Sequence, residues 1–137
     1  MAENDLNRVL SSHGIRPTLQ RIAVYKYLLS HPVHPSADTI YRSLSDEFPV
    51  FSRTTIYNTL NSLVKSGLVR PINIQHDEQR FDSTTEDHGH FFCIKCNEIS
   101  DFDITQKILD DLCPEGYQNI RVDIFITGFC PKCKDKQ

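Results

Sequence analysis

The chain has 137 residues, of which 39% are hydrophobic and 24% are charged, and these values are typical of a folded globular protein rather than a disordered one. No run reaches the roughly 18 consecutive apolar residues of a membrane span. The N-terminus, MAENDLNRVL, lacks the pattern of a secretory signal, so we expect a cytoplasmic protein.

The formal net charge of −3 is unevenly distributed. Residues 1–70 carry 8 Lys and Arg against 5 Asp and Glu, a net charge of +3, whereas residues 71–137 carry 7 against 13, a net charge of −6. A basic first half and an acidic second half suggest contact with a polyanion by one part and cation binding by the other. The alternative is ordinary scatter in surface charge, and the asymmetry alone does not indicate a function.

The first half of the sequence predicts four short helices followed by a hairpin. Apolar residues recur at helical spacing, and a hydroxyl residue suited to N-capping precedes each of the last three helices. Two β-like runs, LVRPINI and QRFDS, follow and are joined by a polar turn at residues 75–78. This order is that of a winged helix-turn-helix. The predicted helices cover residues 5–12, 18–30, 36–47 and 52–66, with Thr18, Ser36 and Ser52 as capping residues.

The second half changes pattern after a polar linker at residues 84–87. HFFCIKC, EISDFDI and NIRVDIFITGF predict strands, and residues 105–112 predict one helix. We therefore predict an α+β protein, with a winged helix-turn-helix domain at 1–83 and a small α/β domain at 84–137. The side chains expected to face inward in the second domain are Ile108, Leu109 and Leu112 in the helix and Ile120, Val122, Ile124 and Ile126 in the last strand.

Two CxxC pairs lie in the second half, Cys93–Cys96 and Cys130–Cys133, with 33 residues between them. Four thiolates from two such pairs suit a closed, tetrahedral Zn²⁺ site of the structural kind. The alternative is that one pair is a redox dithiol. A redox function needs only one CxxC pair, however, and this chain has two. We expect Cys113, which has no such companion, to be a small buried apolar residue.

A second set of candidate ligands offers only nitrogen and oxygen. His88 and His90 flank a single glycine, so they lie on the same side of an extended segment. Carboxylates before and after them, with one upstream imidazole, would complete a site that suits Fe²⁺ or Mn²⁺, although Zn²⁺ would also fit. Asp103 is the alternative to Asp101, and we expect His13, His31 and His76 to be surface residues. The candidate set is His34, Asp82, His88, His90 and Asp101.

The helix at residues 52–66 presents a polar outer face without an acidic residue. Hydroxyl, amide, phenol and guanidinium groups there are suited to phosphates and base edges in a DNA major groove. The alternative is an ordinary solvated face, which more typically shows Glu and Lys. Arg70 and Arg80 of the hairpin, or wing, are possible additions. The candidate DNA contacts are Ser52, Arg53, Thr54, Thr55, Tyr57, Asn58 and Asn61, together with Arg16 before the second helix.

These motifs together resemble the ferric uptake regulator (Fur) family along nearly the whole chain. The resemblance includes Arg16–Arg21, Thr54–Leu60, Arg80–Asp82, His88–Phe91 and both CxxC pairs. It implies that residues 1–83 form a winged-helix DNA-binding domain and residues 84–137 a metal-binding α/β dimerisation domain. The protein would then be a homodimeric, metal-dependent transcriptional repressor that binds a double-stranded DNA operator. The resemblance also implies a four-cysteine structural zinc site, a regulatory metal between the two domains and no enzymatic activity.

Within the family the chain is most similar to the peroxide-responsive (PerR-like) branch, whose regulatory metal has three His and two Asp ligands. His34, Asp82, His88, His90 and Asp101 stand at those places, whereas iron-uptake regulators usually have Glu in place of the two Asp. In that branch Fe²⁺ and peroxide add an oxygen to a ligand histidine, and the DNA is released. The resemblance implies that His34 and His88 are the oxidation-sensitive residues.

Three other functions stay open from the sequence. A metal-uptake regulator would use the same site but respond only to the concentration of iron, manganese or zinc. A metallohydrolase would need an open coordination position and a general base, for which Asp103 is the one evident carboxylate. A zinc-ribbon interaction module would explain the cysteines but not the nitrogen and oxygen ligands.

Overall fold

The structure, a computed structural model of the chain, describes residues 3–73, 78–83, 87–119 and 122–136. The chain divides into two compact units, Met1–Thr85 and Glu86–Gln137. Most of the predicted wing turn and of the predicted linker lies outside the described residues, as do residues 120 and 121 of the last predicted strand. Within the described segments, no helix is long and apolar enough to cross a membrane.

The first unit is the predicted winged helix-turn-helix. Helices α3 (Ala37–Ser45) and α4 (Arg53–Lys65) form the helix-turn-helix, and two short antiparallel strands, with Pro71 opposite Phe81, form the wing. The fold class predicted from the sequence is confirmed. The elements are α1 (Glu3–Ser12), α2 (Leu19–Ser30), α3 (Ala37–Ser45), α4 (Arg53–Lys65), β1 (Arg70–Ile72) and β2 (Arg80–Asp82).

The starts of α2, α3 and α4 are fixed by local side-chain chemistry. Thr18, Ser36 and Ser52 each accept a hydrogen bond from the backbone N–H three residues ahead, as N-caps do. After α4, Gly67 adopts a φ of 83°, the left-handed conformation that ends many helices and that glycine tolerates without strain. The chain can therefore turn directly from α4 into the wing.

The core of the first unit is built on one face of α4. Ile56, Leu60 and Leu63 are fully buried and join a cluster that includes Leu28 of α2 and Ile40 of α3. Burying one such side chain contributes about 1.5–3 kcal/mol relative to leaving it in water. Because this face of α4 is anchored, its opposite, polar face is held at the surface.

The second unit is a three-stranded sheet with one helix. The strand order is β4-β3-β5, with β3 antiparallel to β4 and parallel to β5. Helix α5 lies in the connection between β4 and β5, and a short 3-10 helix, Lys134–Lys136, follows the second cysteine pair. The elements are β3 (Gly89–Cys93), β4 (Ile99–Phe102), α5 (Gln106–Leu112) and β5 (Ile124–Gly128).

The prediction that the apolar residues of α5 and of the last strand face inward holds only in part for a single chain, in which Leu109, Val122 and Ile124 are half-buried. Ile108 and Leu112 are 44% and 58% exposed, and Ile126 of β5 is 46% exposed. Apolar side chains recur with the predicted period, but the three strands and one short helix of a single chain provide too few layers to bury all of them. The second unit therefore exposes apolar side chains on α5 and on its edge strand β5.

Candidate metal centres and nucleic-acid interface

The two CxxC pairs meet because of the sheet topology. Cys93 is the last residue of β3, and the register of the parallel β3–β5 pair places it opposite Gly128, two residues before Cys130. The turn after β3 is closed by a hydrogen bond from the Asn97 N–H to the Cys93 carbonyl (2.8 Å), with Asn97 in the left-handed region. Parallel strands end at the same edge of a sheet, so both cysteine turns lie there.

The four sulfur atoms lie close enough together to ligate one metal ion. All four Sγ atoms lie within 4.8 Å of one another, and those of Cys96 and Cys130 are 3.8 Å apart. Metal–sulfur bonds of about 2.3 Å in a tetrahedron require sulfur–sulfur distances of about 3.8 Å, whereas a disulfide requires about 2.05 Å. All five cysteines are free thiols. The geometry thus fits a four-sulfur metal site.

The thiol pKa values within this cluster diverge. The backbone N–H groups of Cys96 and Cys130 lower the pKa of Cys93 to about 6, while the neighbouring Cys130 side chain and burial raise the pKa of Cys133 to about 12. The cluster therefore favours a thiolate at Cys93 and holds a proton more tightly at Cys133. Because a metal ion displaces protons from thiols, metal affinity at this cluster would decrease as the pH is lowered.

Within the first unit, one imidazole and one carboxylate lie close together, those of His34 and Asp82. His34 Nε2 lies 3.6 Å from Asp82 Oδ2, and each residue is 4% exposed. The segment that carries His34 is held against β2, because the Phe81 N–H donates to the Pro35 carbonyl at 3.0 Å. His34 itself has a φ of 60°, a conformation that is uncommon for residues other than glycine and that is concentrated at functional sites.

Within the second unit, His88, His90 and Asp101 lie close together. Asp101 Oδ1 lies 3.7 Å from His88 Nε2 and 3.4 Å from His90 Nε2, and the two rings are 4.4 Å apart. The β3–β4 register places Asp101 directly opposite His90. Asp103, the alternative considered from the sequence, is exposed just beyond the end of β4. The carboxylate beside the two imidazoles is therefore that of Asp101.

Gly89, between the two histidines, is required by a close approach of β4. The Phe102 ring packs directly on its Cα, and a Cβ at this position would overlap the ring. Gly89→Ala is expected to displace Phe102 and its neighbour Asp101, and to weaken Mn²⁺ binding about 10- to 100-fold, as loss of ligand support typically does. Calorimetric titration with Mn²⁺ measures this.

The double variant Gly89→Ala/Phe102→Leu provides the control, because the smaller side chain makes room for the new methyl group. We expect it to regain part of the lost affinity. Equal Mn²⁺ affinity in Gly89→Ala and the unaltered chain would contradict this account of the site.

Helix α4 presents the polar face predicted for DNA contact. Arg53, Thr54, Asn58 and Asn61 are exposed, and Tyr57 is 50% exposed. Two of the other candidates serve the helix itself, since the hydroxyl groups of Ser52 and Thr55 lie 3.0 Å apart and Ser52 caps the helix. We call the outer face of α4 (Arg53, Thr54, Tyr57, Asn58 and Asn61) the recognition face.

One contact at the recognition face was not predicted from the sequence. The Arg53 guanidinium donates to the Asp38 carboxylate and lies over the Tyr41 ring, 4.5 Å from its centroid. Both partners belong to α3. Nothing local in the sequence signals a pair that is 15 residues apart; only the packing of α3 against α4 brings it together.

The remaining candidates divide between surface and interior. Arg70 is only 8% exposed, so the hypothesis that it extends the DNA-binding surface was wrong; β1 turns this side chain into the protein. Arg80 is half-buried, and Arg16 is exposed in the loop before α2.

Cys113 is half-buried, rather than fully buried, with its thiol 3.4 Å from the Tyr117 carbonyl oxygen. His13 and His31 are exposed as predicted, while His76 lies outside the described residues.

A winged helix-turn-helix with a polar recognition face, followed by a unit with clustered cysteine thiols and imidazoles, defines the class of metal-binding transcription regulators. Comparison with known proteins agrees. The model of the ferric uptake regulator family matches residues 12–125. The chain belongs to this family, whose members are metal-responsive transcription regulators and not enzymes. The family resemblance is confirmed, and the metallohydrolase alternative is set aside.

Individual relatives are similar over most of both chains. The peroxide-responsive repressor PerR of Staphylococcus aureus is 35% identical, with 98% of this chain and 95% of that protein aligned. The peroxide stress regulator of Campylobacter jejuni is 28% identical, with a TM-score of 0.70 over 97% of this chain and 99% of that chain. The ferric uptake regulator of Vibrio cholerae is 25% identical, with a TM-score of 0.76 over 90% and 98%.

Proposed function

We propose that this protein is a metal-dependent transcriptional repressor that releases its DNA operator when peroxide oxidises its iron-loaded form. The observation that carries the proposal is a set of buried imidazoles with two aspartates, His34 with Asp82 and His88 with His90 and Asp101, in a chain 35% identical to a peroxide-responsive repressor. The absence of sulfur among these residues suits Fe²⁺ and Mn²⁺.

We infer that the four cysteines hold one structural Zn²⁺. Their sulfur spacing suits a tetrahedral ion, and four protein ligands leave no coordination position for substrate. The ion would tie the turn after β3 to the turn after β5. Its role is therefore to stabilise the second unit, not to sense.

The regulatory metal, in this proposal, is bound by His34 and Asp82 of the first unit together with His88, His90 and Asp101 of the second. An ion that takes ligands from both units restricts how they are arranged. It promotes repression to the extent that it binds the DNA-competent arrangement more tightly than others. The ion need not contact DNA.

We propose that the protein acts as a cytoplasmic homodimer. Large apolar side chains are exposed on and beside α5 and β5, and β5 is an edge strand of its sheet. A second copy of the unit would cover them and pair the edge, as unpaired apolar edges require. Two copies would also supply two recognition faces for half-sites about 34–36 Å apart. The exposed side chains are Ile108, Leu112, Tyr117, Phe125, Ile126 and Phe129.

Peroxide would act on the ligand histidines. Iron bound at this site would promote cleavage of the O–O bond of H₂O₂ beside its ligands, while the two electrons that reduce H₂O₂ come overall from the imidazole ring. One peroxide oxygen is added to an imidazole carbon of His34 or His88; the ring is oxidised by two electrons and the other peroxide oxygen leaves as water. The modified ring is a poor ligand, so the link between the units is lost. The four cysteines are less suitable targets, since thiolates in a closed zinc site are shielded.

DNA binding through α4 gives the first test. In a gel-shift assay with Mn²⁺, Tyr57→Ala is expected to weaken binding about ten-fold, or about 1.4 kcal/mol, because Tyr57 lies at the centre of the recognition face. Tyr57→Phe separates the contribution of the hydroxyl group from that of the ring. Zinc content and oligomeric state should be unchanged in both variants. Unaltered protein that binds no DNA with or without Mn²⁺ would contradict the proposed function.

A further inference from the structure

Arg53, the first residue of α4, is held by two residues of α3. Asp38 accepts a hydrogen bond from Arg53 Nη1 through one carboxylate oxygen and pairs with Arg42 through the other, at 2.8 Å from Arg42 Nη2. The Arg53 guanidinium also lies over the Tyr41 ring. Two α3 residues thus fix the direction of the Arg53 side chain.

This arrangement leaves Arg53 available to a ligand. Its side chain is 57% exposed, and a guanidinium carries five N–H donors, of which the contact with Asp38 uses only part. A free arginine loses rotamer freedom when it binds a phosphate. An arginine that is already held loses less, so the same contact gives tighter binding.

Because Asp38 is negatively charged, an experiment can distinguish two roles of this residue. The carboxylate is 29% exposed and lies in the first turn of α3, where an acidic residue favours the positive end of the helix dipole. If Asp38 served only to stabilise the start of α3, its negative charge near a DNA backbone would oppose DNA binding, and removal of that charge would strengthen binding. If it orders Arg53, its removal weakens binding. The two roles predict effects of opposite sign.

We propose that Asp38 is a positioning residue for DNA recognition. It holds the Arg53 guanidinium against Tyr41, so that the remaining donors of Arg53 meet a backbone phosphate at the start of α4. The inference rests on the proposed function as a DNA-binding repressor and adds to it a residue that does not itself contact DNA.

The test compares Asp38→Asn, Arg53→Ala and the double variant in their Mn²⁺-loaded forms. The probe is a duplex selected from a random-sequence pool by the unaltered protein. Asp38→Asn is expected to weaken binding about three- to ten-fold, as the loss of pre-ordering for one long side chain implies. The double variant should bind no more weakly than Arg53→Ala alone, because both changes remove the same contact. Asp38→Glu, which keeps the carboxylate, should restore part of the affinity.

Asp46→Asn is the matched control, since it removes the same charge from the exposed C-cap of α3. It should leave binding unchanged or slightly tighter. The slope of log affinity against log salt concentration should become shallower by about one unit in Arg53→Ala. In Asp38→Asn the slope should change in the same direction by less. Unfolding midpoints check that each variant is folded.

The outcomes separate the two proposals. Tighter binding by Asp38→Asn, or additive effects in the double variant, would overturn the positioning role. Unaltered DNA affinity in Asp38→Asn or in Arg53→Ala would also overturn the positioning role. Weaker binding by Tyr57→Ala would in that case still support the proposed function. If the unaltered protein selects no duplex from the pool, the proposed function itself has failed.

Discussion

Cys96→Ser is expected to remove zinc from the chain and to unfold the second unit. The side chain of Cys96 is exposed, so the substitution removes a metal ligand without removing a buried packing contact. A structural zinc site contributes on the order of 10 kcal/mol to folding. The rest of the core is small: in the described part of the second unit, the buried apolar residues other than cysteines are Phe92 and Ile99. Metal analysis and size-exclusion chromatography should show zinc-free monomer or aggregate.

Cys113→Ser is the matched control for this prediction. Cys113 lies outside the four-sulfur cluster and is half-buried, so its loss should change neither zinc content nor dimerisation. Cys130→Ser should behave as Cys96→Ser does. A soluble, zinc-free dimer formed by either cluster variant would show that the cysteines do not hold the second unit together.

Peroxide is expected to abolish DNA binding by the Fe²⁺-loaded protein and to leave the Mn²⁺-loaded protein active. Coupling between an effector site and a ligand site is typically worth about 5- to 150-fold in affinity, and loss of a ligand histidine should remove all of it. Mn²⁺ is a much weaker reductant of H₂O₂, although the same nitrogen and oxygen ligands accept it. Gel shifts before and after brief peroxide treatment of each form measure the difference.

The metal-uptake alternative predicts another pattern in the same experiment. A regulator that responds to metal concentration alone would bind DNA in proportion to metal occupancy, and peroxide would change neither form. Equal sensitivity of the Fe²⁺ and Mn²⁺ forms to peroxide would instead point to oxidation at the cysteines. These outcomes would each contradict the proposed mechanism.

Much of the first unit was predictable because its signals are local. An N-cap acts on a backbone N–H three residues away, so Thr18, Ser36 and Ser52 mark helix starts in sequence as they do in space. The glycine after α4 marks its end for an equally local reason. The paired CxxC spacing similarly predicts four sulfurs at one place, provided that the two turns lie at the same edge of a sheet.

The parts that the sequence did not predict depend on packing between distant segments. Two residues apart, Asp101 and Asp103 are equivalent in an alternating strand pattern, and only the β3–β4 register, which pairs Asp101 with His90, distinguishes them. The contact between Arg53 and Asp38 depends on how α3 packs against α4. The exposure of Ile108 and Ile126 depends on how many layers of secondary structure one chain provides. The apolar periodicity predicts that these residues are buried, but not whether the same chain or another one buries them.

Mass spectrometry of the peroxide-treated Fe²⁺ form tests the central proposal most directly. The account predicts that a peptide containing His34 or His88 gains the mass of one oxygen atom, in step with the release of DNA, while the Mn²⁺ form shows no such gain. Release of DNA with both histidines unmodified and the cysteines oxidised would contradict it.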